Sequence, residues 1–208
     1  MVAFFGVPPF VASLGMMMVA SGLAYMLSGG LSIYQLPESF DWLGRGDDLA
    51  GIPNAVVLMI LLYFLAHLLM SRTIAGRFVY AVGGNSEAAR LSGVPVKRIL
   101  LWVYAGSGAL SGLGGIVMAS QFRSGDPKYG LMYELYVIAA VVVGGTSLSG
   151  GRGKVFGTLI GAFIIAVIQN GMNLTGVQSY TQKVVLGLVL LAAVLLDMLK
   201  KRGWKLSS

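Results

Sequence analysis

Long apolar runs with almost no charge limit what this sequence can fold into. Five stretches approach the roughly 20 mainly apolar residues that a helix needs to cross a bilayer. They lie at about residues 10–27, 53–70, 99–119, 155–170 and 184–199. Only 11% of the 208 residues are charged, against about 25% in a typical soluble domain. So little polar surface cannot cover the chain in water, and we predict an all-α, polytopic transmembrane helix bundle.

A sixth apolar segment, at residues 133–143, is shorter than the others. Gly144 and Gly145 end it, and a polar, glycine-rich run follows at residues 146–153. Short apolar segments interrupted by glycine are typical of broken helices beside a transport site. The alternative is a plain short helix followed by a loop, and the residues alone leave both open. We therefore expect about six membrane segments, one of them short or broken.

The charges between the apolar runs predict how the chain is oriented. Loop 33–51 holds four carboxylates against one arginine, whereas loop 71–98 and the tail from Lys200 are basic. Because basic loops stay in the cytoplasm, six crossings place both termini inside and the acidic loop outside. Arg123 and Lys128 fall on the outer side, which makes the connection around them the weakest part of this topology. Membrane topology also explains the net charge of +7, so we expect no nucleic-acid partner.

Small residues mark the helix faces that we expect to pack closely. Lipid tails are as apolar as leucine, so helices in a bilayer associate through close packing and not through the hydrophobic effect. The predicted packing residues are Gly108, Gly112 and Gly115 in segment 99–119, and Gly157 and Gly161 in segment 155–170. The 30 glycines of the chain favour a dense bundle.

Gln169 and Asn170 are polar residues near membrane depth, at the end of segment 155–170. Polar groups in lipid cost free energy unless they face a partner or water. We therefore predict that these two residues line a polar pathway. The alternative is a position at the interface, in contact with headgroups or water.

Loop 71–98 contains a short helix of its own. Asn85 or Ser86 can cap it by accepting backbone N–H bonds, after a glycine pair that breaks the chain. Glu87 lies in the first turn, where the helix dipole favours a negative charge, and Gly93 follows the last turn. Two turns are marginal alone, so a groove in a partner protein, the lipid surface or the chain's own bundle must hold this helix.

The run at residues 72–95, RTIAGRFVYAVGGNSEAARLSGVP, closely resembles the cytoplasmic loop of ribose/xylose-type sugar permeases of ABC importers. The run at residues 138–153, IAAVVVGGTSLSGGRG, looks like the second signature of that family. Residues 157–162 and 169–177 are similar to it as well. The resemblance covers nearly the whole chain from Pro8 onward, in order.

The resemblance implies a permease of the bacterial inner membrane that pairs with a second permease copy, as a homodimer or a heterodimer. It also implies cytoplasmic ATPase subunits and a periplasmic binding protein that delivers a sugar. The residues that correspond to the family's ATPase-coupling helix are Asn85, Ser86, Glu87, Ala88, Ala89, Arg90, Leu91, Ser92 and Gly93. Family members carry further membrane helices before the position of Pro8. We therefore expect residues 1–208 to be one permease domain that forms the later two-thirds of a longer protein.

The residues give no reason to expect a cofactor, a metal site or catalysis in this chain. Leu148 stands where a phosphate-binding loop needs its first glycine, so ATP should be hydrolysed on a partner chain. An intramembrane enzyme would need ionisable residues clustered at mid-depth, and the apolar runs offer none. The remaining alternative is a passive channel or a structural membrane subunit, which would not need the capped cytoplasmic helix.

Overall fold

The structure is a computed structural model that describes residues 1–34, 36–48 and 51–205. The described residues form helices joined by turns, with one isolated bridge between Ile33 and Gly125 and no strand. The helices are α1 Val2–Phe5, α2 Pro9–Ser28, a 3-10 turn Glu38–Phe40, α3 Asp41–Arg45, α4 Asn54–Arg72, α5 Ile74–Gly84, α6 Ser86–Leu91, α7 Val96–Phe122, α8 Tyr133–Val143, α9 Val155–Leu174 and α10 Ser179–Lys205. The predicted all-α class is confirmed.

Five of the described helices are long and apolar enough to cross a membrane: α2, α4, α7, α9 and residues Ser179–Leu199 of α10. They are the five apolar runs of the sequence, and α8 is the predicted sixth and shorter segment. The helices extend beyond the apolar runs because a helix does not stop where it leaves lipid. α7 begins at Val96, directly before two basic residues, and α10 begins at Ser179.

The large apolar side chains of these helices point outward. α2 has no buried residue at all, and Phe10, Met16 and Leu27 in it are mostly exposed. Such a surface is stable in lipid and not in water, because lipid tails solvate apolar groups without cost.

The chain divides into two compact units. Unit 1 comprises Met1–Leu62 and Arg90–Leu131, and unit 2 comprises Tyr63–Ala89 and Met132–Ser208. In unit 1, α1 and α3 pack on α7. The Lys97 amine of α7 lies over the ring of Phe4 in α1, 5.9 Å from its centre.

Unit 2 is built around the antiparallel contact of α8 with α9. Gly144 lies against the backbone of Gly157, and Gly161 lies against the carbonyl oxygen of Ala140. A Cβ at Gly161 would overlap that oxygen, so the two backbones touch without side chains between them. α10 packs against α8, and its Leu186 is buried in one cluster with Ala139 of α8.

The glycine face predicted on α7 has a different environment. A Cβ added at Gly108, Gly112 or Gly115 would meet no atom within 4 Å. This face is open in the chain as it stands, and close packing through it stays a prediction.

The α8–α9 contact makes a matched pair of glycine variants informative. Gly161→Ala should destabilise the protein by about 1–3 kcal/mol, because the added methyl group is forced against the Ala140 carbonyl. Gly171→Ala lies in the same helix with open space around it, and should be neutral or stabilising by up to about 1 kcal/mol. Thermal unfolding of both variants in one detergent measures the difference. Equal midpoints would contradict the contact.

Candidate functional site

The short helix predicted in loop 71–98 is present as α6, Ser86–Leu91. Asn85 is its cap, since its side-chain oxygen accepts from the backbone N–H groups of Glu87 at 3.1 Å and Ala88 at 3.0 Å. Gly93, with φ +83°, follows the helix in the left-handed conformation that ends it. Asn85 takes the capping position and not Ser86, because Ser86 already has helical geometry.

The two sides of α6 have opposite environments. Ala89 is buried within the chain, with 5% of its surface exposed. Leu91 is 76% exposed, and Ala88 is exposed too. An exposed leucine on a capped helix outside the apolar spans leaves an apolar surface that a partner can cover.

A second helix in the same loop, α5, was not expected from the sequence. Thr73 caps it, because its hydroxyl oxygen accepts from the Gly76 N–H at 3.2 Å. The same hydroxyl donates to the carbonyl of Leu69 in α4 at 2.6 Å. A threonine directly before the apolar residues Ile74 and Phe78, four apart, is the signal that could have revealed this helix.

Asn85 joins α5 to α6. Its backbone N–H donates to the carbonyl of Ala81 in α5 at 3.1 Å, and its carbonyl accepts from the N–H of Ala89 in α6 at 3.0 Å. Together with the side-chain cap, these bonds tie one residue to both helices. α5 and α6 are therefore held in a fixed relation.

The end of α5 contacts the glycine-rich loop between α8 and α9, residues 144–154. The Tyr80 hydroxyl donates to the carbonyl of Gly153 at 2.9 Å. Gly83 and Gly84 lie directly against Gly150 and Gly151. The two runs that carry the family resemblance therefore meet in unit 2.

The loop after α8 is ordered by its own hydrogen bonds. Thr146 N–H donates to the carbonyl of Val141 at 3.0 Å, and Ser147 N–H donates to that of Arg152 at 3.0 Å. α8 is about 16 Å long, and the chain turns back along α9 after this loop instead of resuming a helix on the same axis. This geometry is the plain short helix with a loop, one of the two alternatives that the sequence left open.

Gln169 and Asn170 lie side by side near the end of α9 but differ in exposure. Gln169 is half-buried and continues the series Gly161 and Ile165, which faces α8 at intervals of four residues. Asn170 is exposed. Nearby, Asn173 accepts a hydrogen bond from the Gln182 side chain at 2.8 Å. A pathway along these residues stays a prediction.

The acidic loop of unit 1 packs on the end of α7 through buried polar groups. The hydroxyl of Ser120, fully buried, accepts from the Gly44 N–H at 2.8 Å and donates to the Phe40 carbonyl at 2.5 Å. Arg123 forms an ion pair with Asp41 of the same loop. Arg123 thus lies beside the acidic loop, and the predicted position of both on the outer side of the membrane stays a prediction.

Asp126 ties a second part of this region together. Its carboxylate accepts from the Ser32 hydroxyl at 2.6 Å and from the Lys128 backbone N–H at 2.7 Å. These hydrogen bonds, the one from Ser32 above all, hold the pKa of the Asp126 carboxyl below its ordinary value. The contact is therefore intact above the ordinary carboxyl pKa of about 4 and is lost as the pH falls through the lowered value.

Comparison with known proteins identifies the sequence class. The family described as "Branched-chain amino acid transport system / permease component" matches residues 1–194. The ribose import permease protein RbsC of Bacillus subtilis (strain 168) is 47% identical over 191 residues, which cover 91% of this chain and 59% of that protein. The protein of the same name from Escherichia coli (strain K12) is 42% identical over 195 residues, or 92% of this chain and 60% of that protein.

A relative with a different sugar in its name matches over the same region. The L-arabinose transport system permease protein AraH of Escherichia coli (strain K12) is 40% identical over 193 residues, 93% of this chain and 58% of that protein. The chain thus spans about three fifths of the length of these relatives. No solved structure matches it.

The Asn85 cap can be tested with two substitutions at one position. Asn85→Ala should destabilise α6 by about 1 kcal/mol, because two N–H groups lose their acceptor. Asn85→Asp keeps an acceptor in the same place and should preserve the helix. Hydrogen exchange at the amides of Glu87 and Ala88 measures the effect. Unchanged exchange in Asn85→Ala would show that the cap does not hold α6.

The Asp126 contact predicts a shift in a measurable pKa. Ser32→Ala removes the main hydrogen bond to this carboxylate, so the pKa of Asp126 should rise toward its ordinary value. Aspartate labelled with ¹³C at the carboxyl carbon reports the titration by NMR. Ser39→Ala, an exposed serine in the same loop, should leave the pKa where it is. An equal pKa in all three proteins would exclude the contact.

Proposed function

The chain belongs to the family of branched-chain amino acid transport system permease components, and on that premise we propose that it is the membrane-spanning subunit of an ABC importer for a sugar. The relatives named for ribose and L-arabinose support a pentose or a similar monosaccharide as the substrate. The chain provides a path between packed helices and does not itself catalyse a reaction. ATP is hydrolysed on a separate ATPase subunit.

The observation that carries this proposal is the arrangement of α6. In the sequence it lies between the membrane helices α4 and α7. It is capped by Asn85 and presents Leu91 with 76% of its surface exposed. A helix of six residues is too short to be stable alone. We assign its exposed side to a groove of the ATPase, which would bury Leu91 and Ala88. A passive channel or a structural subunit would have no use for this surface.

The coupling follows from the contact with the ATPase. When the two ATPase subunits close on ATP, the groove moves and carries α6 with it. The permease then exchanges between outward-open and inward-open states, each favoured by one state of the ATPase. Such a shift needs differential binding of the two states and no reaction within the permease.

We place the sugar path beside α9, where Gln169 and Asn170 offer hydrogen-bonding groups near the end of an apolar helix. A monosaccharide carries several hydroxyl groups, which lose water on entering a path and need polar partners there. Weak contacts suffice, because a periplasmic binding protein selects the sugar before it arrives.

The remaining parts of the proposal concern assembly and position. The permease acts with a second permease copy, two ATPase subunits and a periplasmic binding protein. It resides in the bacterial inner membrane with both termini in the cytoplasm, as the basic residues of loop 71–98 and of the tail favour.

Co-purification from native membranes in mild detergent tests the central claim. An ABC-type ATPase should co-purify with the intact chain, and Leu91→Asp should reduce its recovery at least about tenfold, since a carboxylate would be buried in an apolar groove. Leu91→Met keeps a side chain of similar volume and should retain the ATPase. Membrane insertion should be equal in all three, because α6 lies outside the spanning helices. Full recovery with Leu91→Asp would refute the coupling role.

A further inference from the structure

Two pairs of glycines bring the end of α5 and the loop after α8 into direct backbone contact. A Cβ at Gly151 would lie 2.6 Å from Cα of Gly84, and a Cβ at Gly83 would lie 3.0 Å from the backbone nitrogen of Gly151. A Cβ at Gly150 would overlap the carbonyl of Gly83. We call this meeting of Gly83 and Gly84 with Gly150 and Gly151 the glycine contact. A Cβ is excluded at Gly150 and Gly151 and would be tight at Gly83, whereas one at Gly84 would make an ordinary contact with Gly151.

Glycine is a costly residue at the end of α5 for the helix itself. Each glycine in a helix is less favourable than alanine by up to about 1 kcal/mol. The helix would accept alanine at position 83, but its Cβ would lie only 3.0 Å from the backbone nitrogen of Gly151, a tight contact that the loop would have to relieve by moving. Glycine at position 83 thus lowers the stability of α5, and the close approach of the loop accounts for its presence there.

On one side, the glycine contact is firmly connected to α6. Only Asn85 separates Gly84 from the first residue of α6, and it hydrogen-bonds to Ala81 behind it and to Ala89 ahead of it. A displacement of α6 by a partner therefore moves the end of α5 as well.

On the other side, the glycine contact is firmly connected to α8. Gly150 N–H donates to the Ser147 carbonyl at 3.1 Å, and Thr146 N–H donates to the carbonyl of Val141 in the last turn of α8 at 3.0 Å. Tyr80 adds a bond that crosses the contact, from its hydroxyl to the carbonyl of Gly153. Close-packed backbone transmits displacement because no rotamer change can absorb it.

We propose that the glycine contact and the Tyr80 hydrogen bond transmit the movement of α6 to α8, with Tyr80 and Gly151 as positioning residues for the transport cycle. This inference rests on the proposed function, since it needs an ATPase that moves α6. The inference goes beyond that function by naming the short helix α8 as the first element of the membrane region to move.

The test follows the position of α8 in the complete transporter in lipid nanodiscs. The chain has no cysteine, so single cysteines at Val137 in α8 and Val103 in α7, both exposed, can carry spin labels. The distance between the labels is measured without nucleotide and after trapping with ADP and vanadate. The intact chain should give two different distances.

Two variants and two matched controls test whether the glycine contact and the Tyr80 hydrogen bond transmit the movement. Tyr80→Phe removes the hydrogen bond and keeps the ring, and Gly151→Ala forces the glycine contact apart. Gly130→Ala places a methyl group at a similar φ, +80° against +73°, but in open space. Tyr180→Phe removes the hydroxyl of an exposed tyrosine.

Nucleotide should shift the label distance fully in both controls and by about half or less in Tyr80→Phe and Gly151→Ala, because each removes one of the two connections. ATPase recovery and the nucleotide-free distance should be unchanged in Tyr80→Phe, which decides alone if Gly151→Ala fails to fold. A full change in the label distance in Tyr80→Phe overturns the proposed transmission. An intact chain that binds the ATPase but shows no change in this distance overturns it too. An intact chain that recovers no ATPase overturns the proposed function and the inference with it.

Discussion

The rest of unit 2 depends on the backbone contact between α8 and α9. Helices in lipid gain nothing from hiding apolar side chains from one another, so their association depends on how closely their backbones approach. Gly157 and Gly161 permit that approach, and the buried core around Ala139 and Ile165 follows from it. A helix of 11 residues covers only about half of the hydrocarbon thickness. The N–H groups of the loop at 144–154 donate to the last carbonyl groups of α8, so these carbonyls are paired within the protein, as lipid requires.

Similar glycine patterns have different environments on different helices. On α9 the small residues are already in contact with α8, whereas Gly108, Gly112 and Gly115 on α7 meet nothing within 4 Å. Spacing alone identifies a face that can pack closely, but the partner of that face is a property of the tertiary structure. The same limit applies to Gln169, whose half-buried position depends on the rotation of α9 about its axis.

The sequence predicted best what depends on local chemistry. The apolar runs located the five spanning helices and α8, and the capping pattern located α6, because length, apolar content and caps act within a few residues. It missed α5, whose 11 residues carry glycines and an arginine and were interpreted as loop. It could not predict the packing of the acidic loop on α7, since Ser120 bonds Phe40 across 80 residues of chain. Nor could it predict that Tyr80 reaches Gly153.

The position of α5 decides how α6 is attached to the rest of the chain, on which the proposed coupling depends. If α6 were joined to the membrane helices by flexible loops, a push on Leu91 would be dissipated in loop motion. Instead Thr73 fixes the start of α5 to the end of α4, and Asn85 fixes its end to α6. Leu91 faces outward, where the proposed ATPase contact would form, and bare backbone at Gly83 and Gly84 faces the loop, where the proposed transmission would act. In the proposed coupling, recognition needs distinctive side chains and transmission needs their absence, which would account for a leucine and a glycine pair within nine residues of each other.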